Sequence, residues 1–232
     1  MRILAIDTAL EACAACVLDT NAGKVIAQEA REMKRGHAEA LMPLIARVMD
    51  EAAIPFTALD RIAVTTGPGS FTGLRVGLSA ARGLALAADR PAVGVTTLAA
   101  FAAPIVGLGL GRPVISAIDA RHDHVYYQVV KGDGGLLVRP NVAPVEEALR
   151  AAEFGAPHLV GNAAAILASR WPTDTPPPYR VNPQAAPDIS WVAWLGAAVS
   201  PESAPPRPFY LRAPDAKPPK DRLPHALPPA AS

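Results

Sequence analysis

The feature that most constrains this chain is an internal echo. Ile3-Leu4-Ala5-Ile6-Asp7 near the start returns as Val114-Ile115-Ser116-Ala117-Ile118-Asp119 midway along. Each is an apolar strand ending in Ala-Ile-Asp, and each leads through a polar turn to a second apolar strand, Cys13–Leu18 in the first case and Val125–Val130 in the second. Strand, turn and strand in matched contexts predict two hairpins. A single repeat of this length predicts two related lobes rather than a solenoid.

The rest of the chain divides around these hairpins. In the first half a third strand is expected over Lys24–Ala30 and a helix over His37–Ala53, with Leu41, Leu44, Ile45, Val48 and Met49 on one side. A strand Ile62–Thr66, a helix Thr72–Ala88, a short strand Val93–Val95 and a short helix Thr97–Ala103 complete a βββαβαβα order. The second half is thinner. A strand is expected at Leu136–Val138, a helix over Pro144–Ala152 and a strand at His158–Gly161. Helices over Asn162–Arg170 and Asp188–Val199 flank a proline-rich connector. The expected organisation is an α/β fold with a first lobe over 1–105 and a second, reduced lobe over 112–200. A tail over 201–232 carries ten prolines and is expected to be largely extended or disordered.

Between the strand Ile62–Thr66 and the next helix lies Gly67-Pro68-Gly69-Ser70-Phe71-Thr72-Gly73-Leu74-Arg75-Val76-Gly77. Proline and the glycines break the strand, and Ser70 or Thr72 caps the helix. A glycine-rich loop feeding a helix N-terminus is receptive to anions. A P-loop is excluded, because it ends in Gly-Lys-Ser/Thr and no lysine occurs between Lys34 and Lys131. The dinucleotide fingerprint is excluded too: the third glycine, Gly73, comes one residue late. The plain alternative is a tight turn that binds nothing. Asp7 and Asp119, at equivalent strand ends, could hold a metal or orient water, or could simply start their turns. Asp7, Thr8, Gly67, Pro68, Gly69, Ser70 and Asp119 are therefore the candidate phosphate- or nucleotide-facing residues, read as vestigial.

Composition removes other classes. With 22 basic and 21 acidic residues the chain is no polycationic nucleic-acid binder. No apolar run reaches the ~20 residues of a membrane span. The N-terminus reads as a strand rather than an export signal, and with only two cysteines the expected compartment is the cytoplasm. Cys13 and Cys16 form a C-x-x-C, but three apart on a strand they point to opposite faces and cannot pair. His122 and His124 could share a face as metal ligands or decorate a solvated turn. No G-x-S-x-G nucleophile elbow occurs.

Several blocks together resemble one family. Met1–Thr8, Gly36-His37-Ala38-Glu39-Ala40-Leu41, the Gly67–Gly77 block, Gly94-Val95-Thr96-Thr97-Leu98, Asp119-Ala120-Arg121 and Tyr210-Leu211-Arg212 follow the order of the TsaB (YeaZ) family. The resemblance extends to about residue 215, and its specific part is Gly67–Gly77. It implies an actin/Hsp70/sugar-kinase-like (ASKHA) fold of two RNase H-like lobes with mixed sheets flanked by helices. It also implies a non-catalytic role, with no cofactor, in threonylcarbamoyl transfer to N6 of adenosine 37 of tRNAs that read codons starting with A. The implied partners are the catalytic TsaD subunit and a TsaE-type ATPase; tRNA is met only through the complex, and the chain homodimerises when alone.

In the catalytic relative a metal is held partly by a histidine pair. Thr97 and Phe101 occupy those positions here, and neither replaces imidazole. The helices 37–53 and 72–88 are the implied contact surface. Its candidate residues are His37, Leu41, Leu44, Ile45, Leu74, Val76, Gly77, Leu78 and Ala81. The competing classes are a catalytic threonylcarbamoyltransferase, a small-molecule kinase of the same fold, and a protease.

Overall fold

The structure is a computed structural model and describes residues 1–212. The first hairpin pairs β1 (Arg2–Asp7) antiparallel with β2 (Ala12–Asp19), Ile6 opposite Ala15, and β3 (Lys24–Glu32) extends it on the β2 side. The chain then forms α1 (His37–Ala52), β4 (Arg61–Gly67), α2 (Phe71–Ala88), β5 (Ala92–Thr96) and α3 (Thr97–Gly107). β4 runs parallel to β1 and β5 parallel to β4, giving a five-stranded sheet of order β3-β2-β1-β4-β5.

The second half repeats this wiring. β6 (Val114–Arg121), β7 (His124–Val130) and β8 (Leu136–Pro144) form an antiparallel meander, followed by the single-turn α4 (Val145–Ala148). β9 (His158–Val160), α5 (Ala164–Ser169) and β10 (Arg180–Asn182) follow, then α6 (Ile189–Ala198). The sheet order is β8-β7-β6-β9-β10, with β9 parallel to β6 and β10 parallel to β9. β6 thus takes the place of β1, and Asp119 the place of Asp7. Two sheets of one topology give the two lobes that the echo predicted, and with their flanking helices they form the ASKHA architecture that the family resemblance implied.

Strand β1 is apolar on both sides, so both sides need cover. Leu4 and Ile6 face a core with Leu44, Ile45, Leu74 and Leu78 of α1 and α2. Ile3 and Ala5 face the opposite way, against Ile189, Val192 and Ala193 of α6. This departs from the sequence expectation, which assigned residues 188–199 to the second lobe. α6 is apolar nearly all round, and the back of the first sheet is the large apolar face left to receive it. A Cβ on Gly196 would lie 2.4 Å from the Ala63 Cβ, so glycine lets the helix sit close on β4. The Arg61 guanidinium, at the start of β4, donates to the carbonyls of Gly196, Ala197 and Val199 and closes the helix end. α3 lies between the sheets, where Leu98 and Phe101 join Val114 and Ile118 in the same core as Leu4.

One other difference concerns proline. α3 runs on past Ala103 through Pro104 to Gly107. At the start of the tail, residues 204–212 form no helix or strand and lie along the first lobe, held by contacts described below. The remainder of the tail, 213–232, lies outside the described residues.

Candidate functional site

The glycine block begins where β4 ends. Ser70 caps α2, its hydroxyl accepting from the Gly73 amide at 3.3 Å. The block is pressed against the turn between β1 and β2. The Ser70 amide donates to the Ala9 carbonyl at 2.7 Å, and the Thr8 hydroxyl donates to the Gly73 carbonyl at 2.7 Å. A Cβ would stand 2.3 Å from the Ala9 oxygen if placed on Gly69, and 2.1 Å from the Thr8 oxygen if placed on Gly73. On Gly77 it would stand 2.5 Å from the Thr8 hydroxyl. These glycines are therefore a contact surface between two backbones. The amide of Ser70, one of the candidate phosphate-facing residues, is taken by the Ala9 carbonyl, and the Gly73 amide by the Ser70 hydroxyl.

Asp7 lies beneath this contact, fully buried. One oxygen accepts from the Ala9 amide at 3.0 Å and from the Thr65 hydroxyl at 2.5 Å; the other is buried with no partner. Burial pushes its carboxyl above the usual range, against the pull of the Thr65 and Ala9 hydrogen bonds. Asp119 is exposed instead. It accepts from the Arg121 amide at 2.7 Å and lines a cavity of about 470 Å³ with Arg121, His122, His124 and Arg170. The two equivalent aspartates thus sit in unlike surroundings, and no shared ligand geometry joins them.

The turn beyond Asp119 holds Arg121, His122 and Asp123 at φ 62°, 51° and 60°. The His124 Nδ1 sits 2.7 Å from the His122 carbonyl, so that ring is used locally. Among the described residues no three His, Cys, Asp or Glu side chains converge on a metal position. Thr97 and Phe101 are wholly buried, and a phenyl ring has no lone pair to offer, so these positions do not fit a bound metal. Cys13 and Cys16 are free and face opposite sides of β2. Burial pushes their thiols up to about 11 and about 12.

The open concave surface is between α1 and α2. A groove of about 560 Å³ is lined by Ala38, Leu41, Met42, Phe71, Thr72, Arg75, Val76, Ser79 and Ala80. Met42 is 47% exposed and Phe71 36%, high values for such large apolar side chains. Burial divides the expected contact set. Leu44, Ile45, Leu74, Gly77, Leu78 and Ala81 are buried inward against the first sheet. Leu41 and Val76 reach the groove, while the half-buried His37 places its Nε2 3.0 Å from the Leu10 carbonyl. An apolar helix gives its broad leucine face to its own sheet, and what remains outward is the flank carrying Phe71, Arg75 and Ser79.

The early tail reaches one residue that lines the groove. The Gly94 amide donates to the Ala204 carbonyl and the Phe209 amide to the Thr66 carbonyl, each at 2.8 Å. The Arg82 guanidinium holds the Pro206 carbonyl. The Tyr210 ring then lies 5.4 Å from the Phe71 ring, and Arg75 stands 3.8 Å over Phe71. Sequence reasoning missed Met42, Arg75 and Tyr210. Their signal was weak: one methionine on the polar side of α1 and an arginine among small residues.

Residues 24–182 match the family model described as "TsaD: tRNA N6-adenosine threonylcarbamoyltransferase". The tRNA threonylcarbamoyladenosine biosynthesis protein TsaB of Escherichia coli is 38% identical over 133 residues, 57% of this chain and 56% of that protein. The match therefore spans about half the length of that relative. An uncharacterised protein of Mycobacterium tuberculosis is 33% identical over 219 residues, 93% of this chain and 94% of that protein. A crystal structure of a protein similar to peptidase YeaZ from Pseudomonas aeruginosa superposes with a TM-score of 0.76 at 30% identity. It covers 91% of this chain and 99% of that one.

Proposed function

This chain belongs to the TsaB (YeaZ) family, and we propose that it is a non-catalytic subunit in the making of threonylcarbamoyladenosine in tRNA. It supports threonylcarbamoyl transfer to N6 of adenosine 37 by binding a TsaD-type catalytic subunit. A TsaE-type ATPase completes the set, and tRNA is engaged through the assembly. The work is done in the cytoplasm; no described helix is long and apolar enough to cross a membrane.

The observation that carries this reading is the groove between α1 and α2. Concave apolar surfaces with exposed large side chains on a rigid two-helix frame are suited to a partner's helix. Met42 and Phe71 supply the apolar anchors, and Arg75, stacked on Phe71, supplies a charged rim. With no partner present, a second copy covers the same surface, which gives the homodimer. Thr97 and Phe101, wholly buried, support the non-catalytic half of the reading, since by the family resemblance they take the positions of the catalytic relative's metal-binding histidines and neither offers an imidazole.

The test is reconstitution. The purified chain with tRNA and threonylcarbamoyl-adenylate is expected to form no modified adenosine. Adding TsaD-type and TsaE-type partners is expected to give product, and omitting this chain from the full set is expected to abolish it. Product from the chain alone would move it to the catalytic class.

A further inference from the structure

The path of residues 204–212 points to an occupant for the groove. Three contacts on backbone carbonyls pin this stretch across the first lobe: Gly94 to Ala204, Arg82 to Pro206, and Phe209 to Thr66. Tyr210 is delivered onto Phe71, which lines the groove. The chain therefore leaves the described structure within a few residues of the groove, with residues 213–232 still to follow.

That remaining segment has the composition of a groove ligand. It holds six prolines, and its only large aliphatic residues are Leu223 and Leu227, each followed directly by proline. Proline presets an extended, three-residue-per-turn conformation, so docking orders little further chain. Segments of this kind bind grooves with aromatic rims, and Phe71 and Tyr210 form such a rim. At ~3.1 Å per residue and three residues per turn, Leu223 and Leu227 stand ~12 Å apart along the axis and about a third of a turn apart around it in this conformation. The stretch of α2 from Phe71 to Ser79 is ~12 Å long at ~1.5 Å per residue. Reach is ample, because Leu223 is eleven residues beyond Arg212. Tethering adds to this: a segment joined through about ten residues of chain is presented at an effective concentration of order millimolar.

We propose that the chain's own C-terminal segment, residues 213–232, docks through Leu223 and Leu227 in the groove between α1 and α2. There it competes with the protein partner and with the second copy that otherwise pairs on the same surface. The docking rests on the groove and the tether alone; the competition rests also on the reading of that groove as the partner surface. The segment then sets how readily the subunit assembles, since a partner's apparent affinity falls in proportion to the fraction of grooves left open.

Methyl NMR on the full-length chain tests this directly. The chain has four methionines, of which Met42 lines the groove and Met49 is buried in the core. With methionine methyls labelled, the wild type is compared with a Leu223→Ser/Leu227→Ser chain over a dilution series. The Met42 resonance is expected to differ between the two at every dilution, while Met49 superposes and reports an unchanged fold. The variant is expected to bind the TsaD-type subunit more tightly, by about fourfold if three-quarters of grooves are filled in the wild type. Superposed Met42 resonances would overturn the proposal, and a Met42 shift that follows concentration alike in both chains would overturn it in favour of a second copy. Distinct Met42 resonances with unchanged partner affinity would support docking while overturning the competition and the partner reading of the groove. Superposed resonances together with a partner that still needs Met42 would remove this proposal alone.

Discussion

Asp7 ends a buried strand with one oxygen hydrogen-bonded and the other bare. Its carboxyl is held above the usual range by burial. A carboxyl that binds its proton more tightly folded than unfolded contributes stability that is fully present below its unfolded value. That contribution is lost as pH rises through the folded value. Asp7→Asn cannot ionise, so it is expected to remove this part of the decline. Urea unfolding at intervals from pH 5 to 9 measures it: the difference between wild type and variant is expected to move in favour of the variant as pH rises. A difference flat across that range would mean that Asp7 carries no shifted proton. The sequence showed Asp7 at a strand end matched by Asp119, and from that alone both were candidates to face phosphate. Burial separates them, and burial depends on Gly69 and Gly73 letting a loop from elsewhere in the chain close over one aspartate.

α2 separates two uses of glycine on one helix. A methyl on Gly73 would meet the Thr8 carbonyl at 2.1 Å, whereas a methyl on Gly83 meets nothing within 4 Å. Gly73→Ala is expected to cost about 3 kcal/mol, because the clash is with backbone. Gly83→Ala is expected to gain about 0.5–1 kcal/mol from helix propensity. Chemical denaturation of the two variants checks both signs; equal effects would contradict the reading of the glycine block as a backbone contact. At this scale the sequence was largely legible. A cap at Ser70 or Thr72, of which Ser70 is the one used, α1 starting at His37 and α2 ending at Ala88 follow from local signals that report on neighbours in the chain. The orientation of α2 was not legible. Leu74, Val76, Leu78, Leu84 and Leu86 surround it, and only the sheet decides that Leu74 and Leu78 go inside while Leu86 is left 85% exposed. β10 was missed because three residues inside a proline-rich connector carry too little pattern.

In the whole molecule the two echoed halves are not independent. α6 comes from the end of the second half and covers the first sheet, with Arg61 closing its last turn. The stretch 204–212 returns to the first lobe as well, and the Arg212 guanidinium lies 3.5 Å from the Ala120 carbonyl of the second. The strand echo made two lobes readable in advance. These returning segments were not readable, because an all-apolar helix and a proline-rich tail name no destination; they go where a large surface is left bare. The same principle applies outward: the groove is the apolar surface that no described element of the chain covers. Its use by a partner is the central claim. The measurement that bears on it most directly is the affinity of Met42→Asp and Phe71→Ala chains for the TsaD-type subunit, with circular dichroism as the check on folding. Both side chains are outward, so both variants are expected to fold as the wild type does. Each is expected to weaken binding by ~2 kcal/mol or more, roughly thirtyfold. Folded variants that bind with wild-type affinity would contradict the account.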